Sequence, residues 1–443
     1  MKKLKENKVL SLAIPATIEN ILQTLVGFID TLMISRIGLL AVTAVGVANT
    51  ILNVYLAVFI ALGVGSSALI AQYLGANKEK ESQKVTNQSV VLATGVGLVF
   101  SLGSLFLGEP LLATMGASSE VLTYSKQFFY IVGGSSVFIS LMTVLGSILR
   151  ATGDTKTPMK VTAVVNIGNI ILDYILIFGL GPIPALGVVG TAIGTAISRL
   201  MGTILLLNRV QKSSSPIDFL TIFKKSNYQS LIKLTIPATL ERLVMRLGQV
   251  LYFGLIISIG AKTFAAHSIA GNIESFTYMP AYGLATAAAT LVGNSIGAKD
   301  LPKANHYAYS SAKYGVIFMS FLGVILFFGS PLFATLFTDD TEAINQIVTA
   351  LRIDSFAQPV LAISLITTGS LQGMGDTKSP LYSTAFGMWV IRVVGVIVLS
   401  KIFNLGIAGV WLSIAIDLSL RSLFLVYRFK NNIKTLDNKY QNL

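Results

Sequence analysis

Gly153-Asp154-Thr155-Lys156-Thr157-Pro158 returns 222 residues later as Gly375-Asp376-Thr377-Lys378-Ser379-Pro380. Working outward from that pair, Ile14-Pro15-Ala16-Thr17-Ile18-Glu19 recurs at the same offset as Ile236-Pro237-Ala238-Thr239-Leu240-Glu241. Gly75-Ala76 recurs as Gly297-Ala298. Three separated blocks that keep one offset mark an internal duplication. The stretches between the blocks are apolar for long distances, as at 90–107, 128–149, 161–180, 188–207, 312–328 and 382–399. A helix needs about 20 apolar residues to cross a bilayer core, and in lipid its backbone must satisfy itself, so these stretches read as transmembrane helices. Alternating runs of about ten residues, the signature of a membrane barrel, do not occur. The spans expected are 10–34, 44–74, 88–107, 123–149, 159–180 and 186–207 in the first repeat. The second repeat supplies 231–258, 265–297, 309–329, 345–371, 381–400 and 405–427.

The fold class is therefore an all-α integral membrane protein of about twelve transmembrane helices in two six-helix bundles. An even number of spans per repeat gives both bundles one orientation, related by a pseudo-twofold axis along the membrane normal. The expected division is an N-lobe over 1–207, a cytoplasmic linker over 208–230, a C-lobe over 231–427 and a cytoplasmic tail over 428–443. Within the linker, residues 219–223 suit a short amphipathic helix on the membrane surface. Proline at Pro15, Pro237, Pro280 and Pro359 can bend spans by removing a backbone hydrogen bond.

Composition agrees. Of 443 residues, 53% are hydrophobic and only 12% charged, against about 25% charged in a soluble domain; mean hydropathy is +0.72. The absence of cysteine excludes disulfides, thiolate metal sites and cysteine nucleophiles. The basic start resembles a signal peptide, but its apolar segment contains Glu19 and Asp30 and reads as a retained first span. A net charge of +13 raises nucleic acid as a partner, yet the basic residues gather in alternate loops: the N-terminal tail, 78–84, 150–160, 209–233, 299–313 and the tail from Arg428. That is the positive-inside pattern, which places both termini in the cytoplasm of a multi-pass protein of the cell membrane. Membrane lipid is the implied surrounding, and nucleic acid is not a partner.

Ionisable residues inside spans cost about 3 kcal/mol or more at the bilayer centre, which makes each a candidate for function. Asp30 lies in the first span. Asn169 and Asp173 share one face of the fifth at i, i+4 spacing, and Thr191 opens the sixth near the same outward level. Two carboxylates, an amide oxygen and a hydroxyl form an oxygen-only set, fit for a hard monovalent cation or a proton and lacking any soft-metal ligand. The rival reading is hydrogen bonding between neighbouring helices. The duplication bears on the choice, because Asp30, Asn169 and Asp173 correspond to Tyr252, Ile391 and Gly395. The scaffold repeats and this polar cluster does not.

Glu274, in apolar company ahead of Pro280, is a candidate second protonation or substrate-charge site. Glu19 and Glu241 follow matching prolines and either line the cytoplasmic mouth of a cavity or face water there. Gln23 either lines the cavity or makes a helix–helix hydrogen bond. Asp354, Asp417, Arg199, Arg392 and Arg421 read as paired with neighbours or snorkelling. The repeated Gly-Asp-Thr-Lys loops read as turns with helix caps. His267 and His306 are too isolated for a metal site, so no metal is expected beyond a Na⁺ at Asp30, Asn169, Asp173 and Thr191.

With these residues in hand, the chain resembles the multidrug and toxic compound extrusion (MATE) family, in its DinF-like prokaryotic branch, over nearly its whole length. The resemblance rests on Gly27-Phe28-Ile29-Asp30-Thr31, both Gly-Asp-Thr-Lys loops, Asn169-Ile170-Ile171-Leu172-Asp173, and Ile273-Glu274-Ser275-Phe276 ahead of Met279-Pro280. It implies two six-helix lobes forming a V around a cavity open alternately to each side. It implies efflux of amphipathic, often cationic small molecules driven by H⁺ or Na⁺ entry, with no other cofactor and a monomeric protein. The residues matching Asp30, Asn169, Asp173 and Thr191 form the family's N-lobe cation site. The departure lies in the C-lobe, where some NorM-type members carry an acidic pair on the seventh and tenth spans and this sequence offers Met245 and Val360. The alternative function is a lipid or lipid-linked oligosaccharide flippase of related architecture, favoured by a cavity rich in Arg or Lys. An integral-membrane enzyme would need a nucleophile or metal constellation that the sequence does not offer.

Overall fold

A computed structural model describes residues 2–115, 118–222 and 226–441. Every extended element among them is helical; the only β feature is an isolated bridge between Leu180 and Ile183. In chain order the helices are α1 (Lys2–Ser35), α2 (Leu39–Gly75), α3 (Glu79–Ala113), α4 (Ser119–Gly134), α5 (Ser136–Ala151), α6 (Lys156–Phe178) and α7 (Val188–Val210). After the linker come α8 (Gln229–Ile259), α9 (Ala261–Thr277), α10 (Met279–Gly297), α11 (Leu301–Thr335), α12 (Thr341–Gly373) and α13 (Lys378–Phe386). The chain then winds through π-helical turns at Gly387–Arg392 and Val396–Ile402, separated by the single α turn α14 (Val393–Gly395), before α15 (Gly406–Gln441).

Ten of these stretches are individually long and apolar enough to span a membrane, and the bent pair α4 and α5, at 47°, makes an eleventh. The expected span over 265–297 is built differently. It is broken at Tyr278, which ends α9 and begins α10, with Pro280 in the first turn of the second piece. Proline fits there because the amides of a helix's first turn have no partner within it. Pro15, Pro237 and Pro359 lie inside continuous helices.

Helix ends follow the polar residues placed at them. Asp154 accepts from the amide of Thr157 at 2.9 Å and Asp376 from that of Ser379 at 2.9 Å, so both Gly-Asp-Thr-Lys loops cap the helix that follows. Gly153 and Gly375 hold φ of 88° and 86°, where a side chain would strain the backbone. Asp300 and Asp340 cap α11 and α12 in the same manner.

The chain forms two compact units. One comprises Met1–Thr17, Ala71–Asn77 and Ile236–Leu443; the other comprises Ile18–Ile70 and Lys78–Thr235. Each therefore takes pieces from both halves of the chain. The first is packed around buried Trp411, Met319, Leu326 and Ile256. The second is packed around Phe59, Phe128, Phe129 and Tyr55, with Tyr55 stacked on Phe100 at 4.3 Å. The linker is fastened to the second unit: Ser215 bonds Ser82 and Thr86 at 2.7 and 2.8 Å, and Asn87 accepts from the amide of Asp218 at 2.9 Å. Residues 219–222 form a turn rather than the amphipathic helix expected there, because Asp218 accepts from Leu220 N and Thr221 Oγ1 and closes the chain locally; Phe223 lies outside the described residues. The expected tail from Arg428 continues α15 as helix to Gln441.

Candidate functional site

The four residues of the expected cation set all belong to the second unit. On α6, Asn166, Asn169 and Asp173 follow one another at i, i+3, i+7 and form one polar stripe. Asn166 donates to the carbonyl of Leu22 at 2.8 Å, which ties this stripe to α1. Eight residues beyond Leu22 stands Asp30, and seven beyond Asn166 stands Asp173. Rises of about 12 and about 10.5 Å along the two helices bring the carboxylates to nearly one level, and each lies within electrostatic reach of the other. Asn169 donates to Asp173 Oδ1 at 3.2 Å, and Asp173 is completely buried.

The hairpin of α6 and α7 sets the rest. A Cβ at Gly190 would overlap the carbonyl of Leu176, and one at Gly194 would overlap Asp173 Oδ1. Two glycines thus let α7 approach until the Asp173 carboxyl lies on its backbone, one turn from Thr191. Among the described residues, Asp30 Oδ1, Asp173 Oδ2 and Thr191 Oγ1 are buried without a hydrogen-bond partner. Buried polar atoms are ordinarily satisfied. Acceptor-capable oxygens left over on two carboxyls within electrostatic reach of each other, and on a hydroxyl one turn from the glycine that meets Asp173, fit a proton or a hard monovalent cation. Arg199 on α7 lies within electrostatic reach of Asp30 and tempers the negative charge.

The other candidate residues are distributed elsewhere. Glu19 is tied into an ion pair with Arg150 at 2.9 Å, and Arg150 also donates to Ser147 at 3.1 Å. Gln23 is exposed on α1. Glu241 and Glu274 belong to the first unit. Glu241 accepts from Thr384 at 3.4 Å and bonds Gln372. Gln372 is the duplicate of Arg150, so an amide stands where the other repeat has the paired guanidinium, and Arg242 and Arg421 are the cations within electrostatic reach of Glu241. Glu274 lies within electrostatic reach of Arg392 and Asp354. Asp354 is 1% exposed and takes a hydrogen bond from Gln358 at 2.5 Å, which in turn accepts from Thr277 at 3.3 Å.

Where the first unit duplicates the Asp30 set, it carries a fixed cation. Tyr252, in Asp30's place, has the Arg392 guanidinium over its ring at 5.6 Å. Arg392 is held by Asp417 at 2.7 Å, and Asp417 also takes Arg421 at 2.9 Å. The duplicates of Asn169 and Asp173 fall in and beside the π-helical turns, so the helix geometry departs along with the chemistry. The sequence shows Asn166 and Gly194 only by position, since the signal of each is a partner on another helix.

The family model MatE matches residues 15–175 and again 237–398, two matches whose starts stand 222 residues apart, the offset of the internal duplication. The chain belongs to the MATE family. Among MATE relatives, the probable multidrug resistance protein NorM of Thermotoga maritima is 31% identical over 94% of this chain and 90% of its own length. The uncharacterized transporter YisQ of Bacillus subtilis is 30% identical over 96% and 94%. A solved outward-facing multidrug resistance MATE family transporter superposes with a TM-score of 0.91 at 23% identity, covering 98% of this chain and 96% of that one, a likeness of fold. In this MATE chain Met245 and Val360 pack against the apolar core of the first unit.

Proposed function

We propose that this membrane transporter exports amphipathic, cationic small molecules from the cell by antiport against H⁺ or Na⁺, with alternating access. It acts as a monomer in the cell membrane with both termini cytoplasmic. The observation that carries the reading is the trio of buried, unpartnered oxygens on Asp30, Asp173 and Thr191 beside Asn169, in one repeat only. An incoming cation satisfies these oxygens and neutralises the carboxylates. The attraction they exert on a cationic cargo then falls and the cargo leaves outward. Coupling requires that the ion bind the two conformations with different free energy. Glu274, with Asp354, supplies a second carboxylate site for a proton or for the cargo's charge.

The test is ethidium efflux from proteoliposomes under an imposed pH gradient and an imposed sodium gradient in turn. The parent exports under one of them, which names the ion, and Asp30→Asn does not. Uphill export by Asp30→Asn at the parental rate sinks the proposal.

A further inference from the structure

We propose that a polar cavity of the second unit binds the phosphoethanolamine headgroup of a membrane lipid, with the ammonium on Asp154 and the phosphate on Arg209 and Lys212. The cavity has a volume of about 300 Å³ and is walled by Asp154, Thr157, Arg209, Lys212, Ser214 and Leu149. That is the lower end of the range of small-molecule sites. The packing of three helices explains its place. A Cβ at Gly202 of α7 would stand 2.8 Å from Met142 of α5 and 2.9 Å from Val165 of α6. Two turns on from that crossing come Leu149 on α5 and Arg209 on α7, and as far back along antiparallel α6 comes Thr157. Thr157 precedes Asp173 by sixteen residues of α6, about 24 Å of rise, so this site is distinct from the cation set and goes beyond the efflux reading.

The internal duplication shows what the polar groups of this loop take. In the second repeat, Asp376 Oδ2 accepts from the Asn432 amide at 2.7 Å and from the Ser379 hydroxyl at 2.6 Å, and Ser379 Oγ accepts from Arg428 Nε at 3.0 Å. The duplicates of Arg428 and Asn432 are Leu206 and Val210. Helix α7 ends at Val210, whereas α15 runs on to Gln441. Asp154 keeps only its cap, accepting the Thr157 amide on Oδ1. Among the described residues, Asp154 Oδ2 and the Thr157 hydroxyl have no hydrogen-bond partner, and neither Arg209 nor Lys212 has a carboxylate within 4.0 Å. Thr152 and Ser213, also on the wall, turn their hydroxyls back on the carbonyls of Leu149 and Val210 at 2.8 and 2.7 Å. Asp218, the one carboxylate of the linker, takes the Thr221 hydroxyl at 2.6 Å.

One open carboxylate oxygen and two open cations lining a single cavity fit a zwitterion better than a simple anion or cation. A primary ammonium brings N–H donors to Asp154 and Thr157, as Arg428 and Asn432 do to Asp376 and Ser379. A phosphate takes charge-assisted hydrogen bonds from the guanidinium and the lysine ammonium. Lys156 and Lys160, exposed on the first turns of α6, add to the positive potential. Position points to a lipid as the source. The cavity lies at the ends of membrane-spanning helices, where basic pockets between spans hold lipid headgroups. Exposed Val164, Ile167 and Ile171 lie on the side of α6 that Thr157 begins, so acyl chains have apolar surface to follow into the bilayer.

The test is native mass spectrometry of the full chain in detergent, titrated in turn with palmitoyl-oleoyl phosphatidylethanolamine, phosphatidylcholine and phosphatidylglycerol. The parent is expected to bind its first phosphatidylethanolamine at least about tenfold more tightly than phosphatidylcholine, whose three methyl groups replace the N–H donors. Asp154→Asn removes that preference while still capping α6, since Asn and Asp serve equally well at a helix start. Arg209→Gln with Lys212→Gln weakens phosphatidylethanolamine at least about tenfold. Equal binding of the two lipids by the parent, or an undiminished preference in Asp154→Asn, overturns the proposal. Tighter binding of phosphatidylglycerol than of phosphatidylethanolamine by the parent makes the cavity a plain basic site and overturns the zwitterion assignment. Displacement of the lipid by an equal concentration of soluble glycerophosphoethanolamine assigns the cavity to a free headgroup and overturns the lipid source. Asp30→Asn is expected to bind phosphatidylethanolamine like the parent while losing gradient-driven export, so failure of the coupling scheme and failure of this site give different results.

Discussion

Gly194 shows how a residue without a side chain can set a site. It lets the Asp173 carboxyl lie on the backbone of α7, and the carboxyl in turn holds Asn169 at 3.2 Å. A methyl group there must push the carboxyl aside, and a shift of about 1 Å in a functional group can cost on the order of a hundredfold in rate. Gly194→Ala is therefore expected to lower gradient-driven ethidium efflux by at least about tenfold with little change in yield or thermal stability. An unchanged initial rate would show that the position of Asp173 is not critical. Asp30, Asn169 and Asp173 are legible in the sequence because polarity inside an apolar run is expensive and so stands out. Gly194, Asn166 and the Arg150 partner of Glu19 are not, because the meaning of each lies in a partner on another helix. The 222-residue offset could have supplied one of them, since it sets Arg150 against Gln372 exactly as it sets Glu19 against Glu241.

Among the elements, the repeat is clearest where helix backbones touch. Gly75 closes α2 against the carbonyl of Asn294, and Gly297 closes α10 against the carbonyl of Gln72. Gln72 and Asn294 are themselves 222 residues apart, so the two contacts are reciprocal copies of one another. Either glycine, given a Cβ, meets main chain rather than a side chain that could turn away. Gly75→Ala is expected to destabilise the protein by about 1–3 kcal/mol through overpacking. Gly103→Ala in α3, where nothing lies within 4 Å of the new atom, should be neutral or stabilising by up to about 1 kcal/mol. Thermal unfolding of both variants in detergent checks the pair; equal midpoints would mean the reciprocal crossing has slack. Long uniform runs such as α3 and α11 are legible from hydropathy alone. The break at Tyr278 is not, because Pro280 reads equally as a kink in a continuous helix or as the first turn of a new one. The π-helical turns at Gly387–Arg392 leave no mark in hydropathy either; they accompany the placement of Arg392 on Asp417.

On the scale of the whole molecule, a boundary drawn by sequence between residues 207 and 231 separates the repeats, but the compact units do not follow it. The first unit takes Met1–Thr17 and Ala71–Asn77 from the N-terminal repeat, and the second keeps residues up to Thr235 at the start of α8. Specific contacts fix these exchanges. Gln72 donates to the carbonyl of Gly373 at 2.8 Å within the first unit, and Gly65 rests against Leu231 and Thr235 within the second. A unit deprived of such a piece exposes helix surface that its neighbours have left bare of side chains. Cleaving the linker between Ser213 and Ser214 is thus expected to give two fragments that are unstable apart yet associate when made together. Each fragment expressed alone should aggregate or be degraded, while the co-expressed pair should co-purify and recover gradient-driven ethidium efflux. The hydrogen bonds of Ser215 and Asp218 to α3 lie on the far side of the cut, so they help to hold the second fragment to the first. An N-terminal fragment that purifies alone as a monodisperse species, unfolding at the temperature of the intact chain, would show that the exchanged pieces contribute little to either unit.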